Sequence, residues 1–131
     1  MASEDRIESV LVEEFVGKAH GDLERVRQLL EQVPALVNAA WDWGAGDWET
    51  ALGAAAHMGR HDIAELLLAH GARIDIFAAA MLGKLDVVTA ILAAYPDMAR
   101  TPGPHGIPLE RHAVAGGHGA AEVLKYLHSL P

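Results

Sequence analysis

Residues 50–72, Thr50-Ala51-Leu52-Gly53-Ala54-Ala55-Ala56-His57-Met58-Gly59-Arg60-His61-Asp62-Ile63-Ala64-Glu65-Leu66-Leu67-Leu68-Ala69-His70-Gly71-Ala72, read as two short helices and the glycines that end them. The hydroxyl of Thr50 suits a helix N-cap, and the alanine run after it lets a second helix approach closely. Gly59 breaks the first helix, Ile63 and Leu66–Leu68 give the second its apolar face, and Gly71 suits a left-handed helix terminator. The same order recurs along the chain. After Gly21, Gly59, Gly83 and Gly119 come GDLERVRQLL, GRHDIAELLL, GKLDVVTAIL and GAAEVLKYL. One such helix pair cannot bury its apolar face alone, so repetition at this scale implies a stack of helix pairs sharing a continuous core.

With Thr50-Ala51-Leu52, Ala54–Ala56, Gly59, Ile63, Leu66–Leu68 and Gly71-Ala72 in register, the second copy resembles the ankyrin repeat. Gly106-Ile107-Pro108-Leu109 opens a second version in the fourth copy. The resemblance spans roughly residues 12–130 and implies an all-α ankyrin solenoid in one domain. Its repeats fall at about 4–38, 39–73, 74–97 and 98–131. Helices are expected over residues 4–20, 23–32, 50–58, 62–70, 76–82, 85–95, 108–115 and 120–129. The first would carry Ile7, Val10, Leu11, Phe15 and Ala19 on one face. Glu4, Asp5, Glu8, Glu13 and Glu14 would lie on the other, as suits a terminal cap that meets water on one side.

The composition agrees with this architecture. Hydrophobic residues make up 51% of 131 and aromatics only 5%, which fits helices packed through Ala and Leu. The absence of cysteine removes disulfides and thiolate metal sites. A net charge of −8 without a basic stripe argues against nucleic acid as a partner. No apolar run reaches membrane-spanning length, and the opening MASEDRIESV lacks the pattern of a signal peptide, so a cytoplasmic protein is expected. No phosphate loop, nucleophile elbow or serine triad is legible, and neither a cofactor nor a metal is expected.

The glycine spacing departs from an even repeat of about 33 residues. It is 38 from Gly21 to Gly59, 24 from Gly59 to Gly83, and 36 from Gly83 to Gly119. The first surplus lies in Ala39-Ala40-Trp41-Asp42-Trp43-Gly44-Ala45-Gly46-Asp47-Trp48-Glu49, whose alternation around a Gly-Ala-Gly turn suits a β-hairpin. In ankyrin terms this is an enlarged finger. The third repeat, where Ile74-Asp75 runs straight into Ile76, has almost none. A notch is expected between the Trp finger and the finger at Pro102-Gly103-Pro104-His105-Gly106.

The resemblance implies that partner contacts come from the fingers and the last turns of the first helices. Those positions are Trp41, Trp43, Trp48 and His105 on the fingers, with His20, His57, Met58, Met81, Leu82 and Ala115 on the helices. Tryptophan and methionine supply large, adaptable contact area, so a protein partner bound without catalysis is the expected function. The alternative is a small-molecule or catalytic pocket in the notch, with His57, His105 and His112 converging on Asp42 or Asp47. Imidazole beside carboxylate is competent for proton transfer near neutral pH. The plainer reading of each histidine is a ring bonded to a backbone carbonyl, and of each tryptophan an indole folded onto the helices. His57 and His61 are not expected to form a helical metal pair, because Gly59 breaks the helix between them.

Overall fold

The alanine- and leucine-rich helices expected from the sequence form four antiparallel pairs. A computed structural model describes residues 5–131; Glu4, expected on the polar face of the first helix, lies outside the described residues. The pairs are α1 (Ser9–Lys18) with α2 (Leu23–Gln32), α3 (Ala51–His57) with α4 (His61–Ala69), α5 (Ile76–Met81) with α6 (Leu85–Ala94), and α7 (Leu109–Ala115) with α8 (Ala121–His128). Short 3₁₀ turns at Pro34–Asn38 and Pro96–Ala99 follow α2 and α6, where proline stops each helix.

The first helices of the second and third pairs start on side-chain caps. The Gly53 N–H donates to Thr50 Oγ1 at 3.0 Å, and the Ala78 N–H donates to Asp75 Oδ1 at 2.8 Å. Asp75 caps α5 immediately after the second repeat ends, so nothing projects in front of the third pair. Alanines 54–56 and 78–80 are fully buried and let these helices pack at close range.

The first helix differs from its expected extent. It begins at Ser9, with Glu8 in extended conformation before it. Its buried stripe runs through Phe15, Val16 and Ala19, backed by Leu11 and Val12. Val10 falls off that stripe at helical spacing and is 66% exposed.

Two apolar clusters make the core. One gathers Phe15, Leu29, Leu36, Leu52, Ile63, Leu67 and Met81 from the first three pairs. The other gathers Ile76, Val88, Leu92, Leu109 and Val123 from the third and fourth. Between the first two repeats, strands β1 (Ala40–Asp42) and β2 (Trp48–Thr50) form an antiparallel hairpin with Trp41 opposite Glu49 and Asp42 opposite Trp48.

Candidate functional site

The hairpin register decides which side chains face the helices. Cross-strand partners share a face of the ribbon, so Trp41 and Glu49 point one way and Asp42 and Trp48 the other. Glu49 turns inward and its side chain is fully buried. The stem passes Gly53, where an added Cβ would sit 3.5 Å from Glu49 Cγ and from Pro104 Cγ. Gly53 and His57 lie four apart on one face of α3, so the bare glycine gives the carboxylate a lane to the last turn.

Four groups meet that carboxylate. Trp43 Nε1–H donates to Oε1 at 2.9 Å. His20 Nε2 lies 3.2 Å from Oε1, while His57 Nε2 and His105 Nε2 lie 3.0 and 3.2 Å from Oε2. The three imidazoles crowd together, with His20–His57 ring centres 5.0 Å apart and His57–His105 centres 5.2 Å apart. Exposure rises outward, from none at Glu49 through 12% at His57 to 26% at His20 and 30% at His105.

Each outer ring is held from behind. His20 Nδ1, at the end of the first helix, lies 3.0 and 3.1 Å from the carbonyls of Gly17 and Val16. His105 is at a fingertip with φ of 61°. Its backbone N–H donates to Asp47 Oδ1 at 2.7 Å, and its Nδ1 lies 2.7 Å from Asp47 Oδ2. Carbonyl and carboxylate acceptors fix the proton on Nδ1 and turn Nε2 toward Glu49.

The electrostatics follow from this packing. Burial pushes the Glu49 carboxyl up, but contacts with His20, His57 and the Trp43 N–H outweigh it and hold it well below the usual carboxylate range. The carboxylate in turn raises the pKa of His20 against the opposing effect of burial. The backbone N–H of His105, helped by its ring, lowers that of Asp47.

The structure therefore brings together His57, His105 and Asp47 from the expected set, but not His112 or Asp42. His112 is buried against Phe77, ring centres 4.9 Å apart, with Nδ1 2.9 Å from the Pro108 carbonyl. Asp42 Oδ1 accepts from the N–H groups of Gly44 and Gly46 and pins the hairpin turn. His61 Nε2 lies 3.0 Å from the Gly116 carbonyl, away from His57. The expected notch is bridged, because Asp47 and His105 join its two walls directly.

The expected contact residues differ in how far they are presented. Trp48 is 61% exposed beside a cleft shared with Ile7, Val12 and Trp41. Trp43 lines a separate hollow with Val10, Gly17 and Lys18. Met58 is exposed, Leu82 half-buried, and Met81 is enclosed in the core and closed to any partner.

Glu49 is the residue that sequence reasoning missed. His20 is expected only among the partner contacts. Together His20, Glu49, His57 and His105 offer four ligand-type atoms within 4.8 Å of one another, a set able to hold a metal ion. The available signal was the period-two alternation of the hairpin, which puts Glu49 on the face of Trp41 and Trp43.

Stacked helix pairs with glycine-ended turns, and a hairpin between the first two, define a helical repeat protein. The ankyrin repeat pattern matches residues 47–78, and the stacked helix pairs around that stretch are consistent with an ankyrin repeat fold. No curated protein and no solved structure matches the chain. No helix among the described residues is long and apolar enough to cross a membrane.

Proposed function

We propose that this chain recognises a protein partner through its hairpin finger and the exposed last turns of its first helices. Ankyrin repeats in general mediate protein–protein interaction, and the repeat at residues 47–78 supports that class of function here. The observation that carries the finer reading is Trp48, 61% exposed on a finger that is fixed in two places. Asp42 ties the turn and Asp47 ties the flank to the fourth finger. An aromatic side chain presented on a pre-ordered loop loses little freedom on binding, which is what an interface anchor requires. Met58 and Val114 are each about half exposed, and Val114 lines a cleft with His57, Ile107, Pro108 and Arg111.

Trp43 is the wrong residue for a clean test, because its indole N–H is committed to Glu49. Trp48→Ala and Met58→Ala leave the histidine cluster intact. A protein retained on immobilised wild type is expected to bind Trp48→Ala more weakly by about 2 kcal/mol in a calorimetric titration. Unchanged affinity for both variants, at unchanged melting temperature, would count against the surface. The convergence of His57 and His105 on Glu49 favours a second reading, a small ligand held at that cluster, without His112.

A further inference from the structure

We propose that His20, Glu49, His57 and His105 form a binding site for one divalent first-row transition-metal ion. The site lies behind the finger surface and does not rest on the partner reading. Metal–nitrogen and metal–oxygen bonds of about 2.0–2.2 Å place neighbouring ligand atoms about 2.8–3.1 Å apart at octahedral angles and about 3.3–3.6 Å apart at tetrahedral ones. The three imidazole nitrogens stand 3.0, 3.2 and 3.2 Å from the carboxylate oxygens, and all four ligand atoms fit within 4.8 Å.

Orientation separates this cluster from a hydrogen-bonded one. The short approaches of His57 and His105 Nε2 to Oε2 are not hydrogen bonds, since Oε2 has no hydrogen-bond partner although both nitrogens lie within 3.2 Å. Side chains aimed at a common third atom show this combination. Glu49 Oε2 and His57 Nε2 are buried with no hydrogen-bond partner, a costly condition for groups sealed from water. A proton on His20 would serve Oε1 and leave both of these unpaired. One cation between the four groups serves all of them.

The backing contacts agree. Metal-bound imidazoles usually donate the far N–H to a carbonyl or carboxylate, which fixes the tautomer and the ring direction. His20 has Gly17 and Val16 behind it, and His105 has Asp47. Three imidazoles and one carboxylate suit zinc, cobalt, nickel, iron or manganese rather than calcium or magnesium, which take oxygen ligands. The partly exposed edge at His20 and His105 provides an entry route. The ion would join the end of the cap helix, the hairpin, α3 and the fourth finger.

The test uses the full chain, stripped with a chelator and titrated with Co²⁺ alone, then with Zn²⁺ in competition. Wild type is expected to take up one ion per chain, with a visible Co²⁺ absorption band and a melting temperature that rises with Zn²⁺. His57→Ala and Glu49→Gln should lose at least about 100-fold in affinity, and Asp47→Asn about 10- to 100-fold through His105. Because Glu49 and His57 are buried, His20→Gln and His105→Gln keep the test sound if the first two variants unfold. Both should stay helical by circular dichroism and bind at least about 10-fold more weakly. His70→Gln, whose ring bonds to the Leu66 carbonyl, should bind as wild type does. Absence of saturable one-to-one uptake by wild type would overturn the assignment, as would equal uptake by wild type and the folded His20 and His105 variants.

Discussion

His112 sits where a close-packed repeat keeps a small side chain, and with Glu49 it is one of two fully buried polar side chains among the described residues. Nδ1 has the Pro108 carbonyl, but Nε2 has no partner. Burial, reinforced by the charge of His57, holds its pKa below that of a free histidine, against the smaller opposing pull of the Pro108 carbonyl. As pH falls below about 6.5 the unfolded chain therefore takes up this proton before the folded chain does, and folding stability declines. Urea denaturation of wild type and His112→Leu at pH 7.5 and 5.0 should show the larger acid loss in wild type. Equal losses would mean that the buried ring contributes no pH dependence. A histidine in place of alanine was legible in the sequence, as was the stiff fingertip at His105. Glu49 was not, because a lone glutamate between Trp48 and Thr50 reads as solvated. Its burial depends on residues 20, 57 and 105 arriving from three other segments.

At the scale of elements, the glycines that punctuate the pattern do two different things. Gly71 ends α4 with φ of 96° and has open space where a Cβ would point. Gly59 ends α3 with φ of 67°, and a Cβ there would fall 2.3 Å from the Ala115 carbonyl oxygen in the fourth repeat. Gly71→Ala should cost only the left-handed strain of an L-residue, about 1–2 kcal/mol. Gly59→Ala adds a backbone collision to the same strain and should cost clearly more, read as a larger fall in melting temperature under identical conditions. Comparable falls would show that the turn of the second repeat can move away from α7. Such glycines made the four pairs readable, since helical period and helix stop were both written locally. The start of α1 was not readable, because Ile7 and Val10 continue the apolar period, yet Ile7 packs on the core from the extended stretch before the helix while Val10 stays exposed.

Across the whole molecule, the third repeat decides how the others meet. Without a finger of its own it leaves the second and fourth fingers free to touch, and Asp47 takes both the backbone N–H and the ring of His105. The second pair also meets the fourth directly, where His61 at the start of α4 lies 3.0 Å from the Gly116 carbonyl at the end of α7. The missing finger could be counted in the spacing, but its closure could not, since that depends on the angle at which successive pairs stack. The Asp47 clasp spans the two apolar clusters without belonging to either. Asp47→Ala should therefore unlock the fingertips and leave the helices alone. Amide hydrogen exchange read residue by residue should lose protection at His105, whose N–H has Asp47 as its acceptor. Trp43 should change little, because its N–H donates to the Asp47 backbone carbonyl at 3.0 Å. Gly103 and Gly106 should keep most of theirs, because their bonds at 2.9 and 3.0 Å lie within the fourth finger itself. Amides of α2 and α6 should exchange as in wild type, since neither helix touches the clasp. Unchanged protection at His105 would mean that the fourth finger is held by its packing on α3 and α7, with Asp47 only leaning against it.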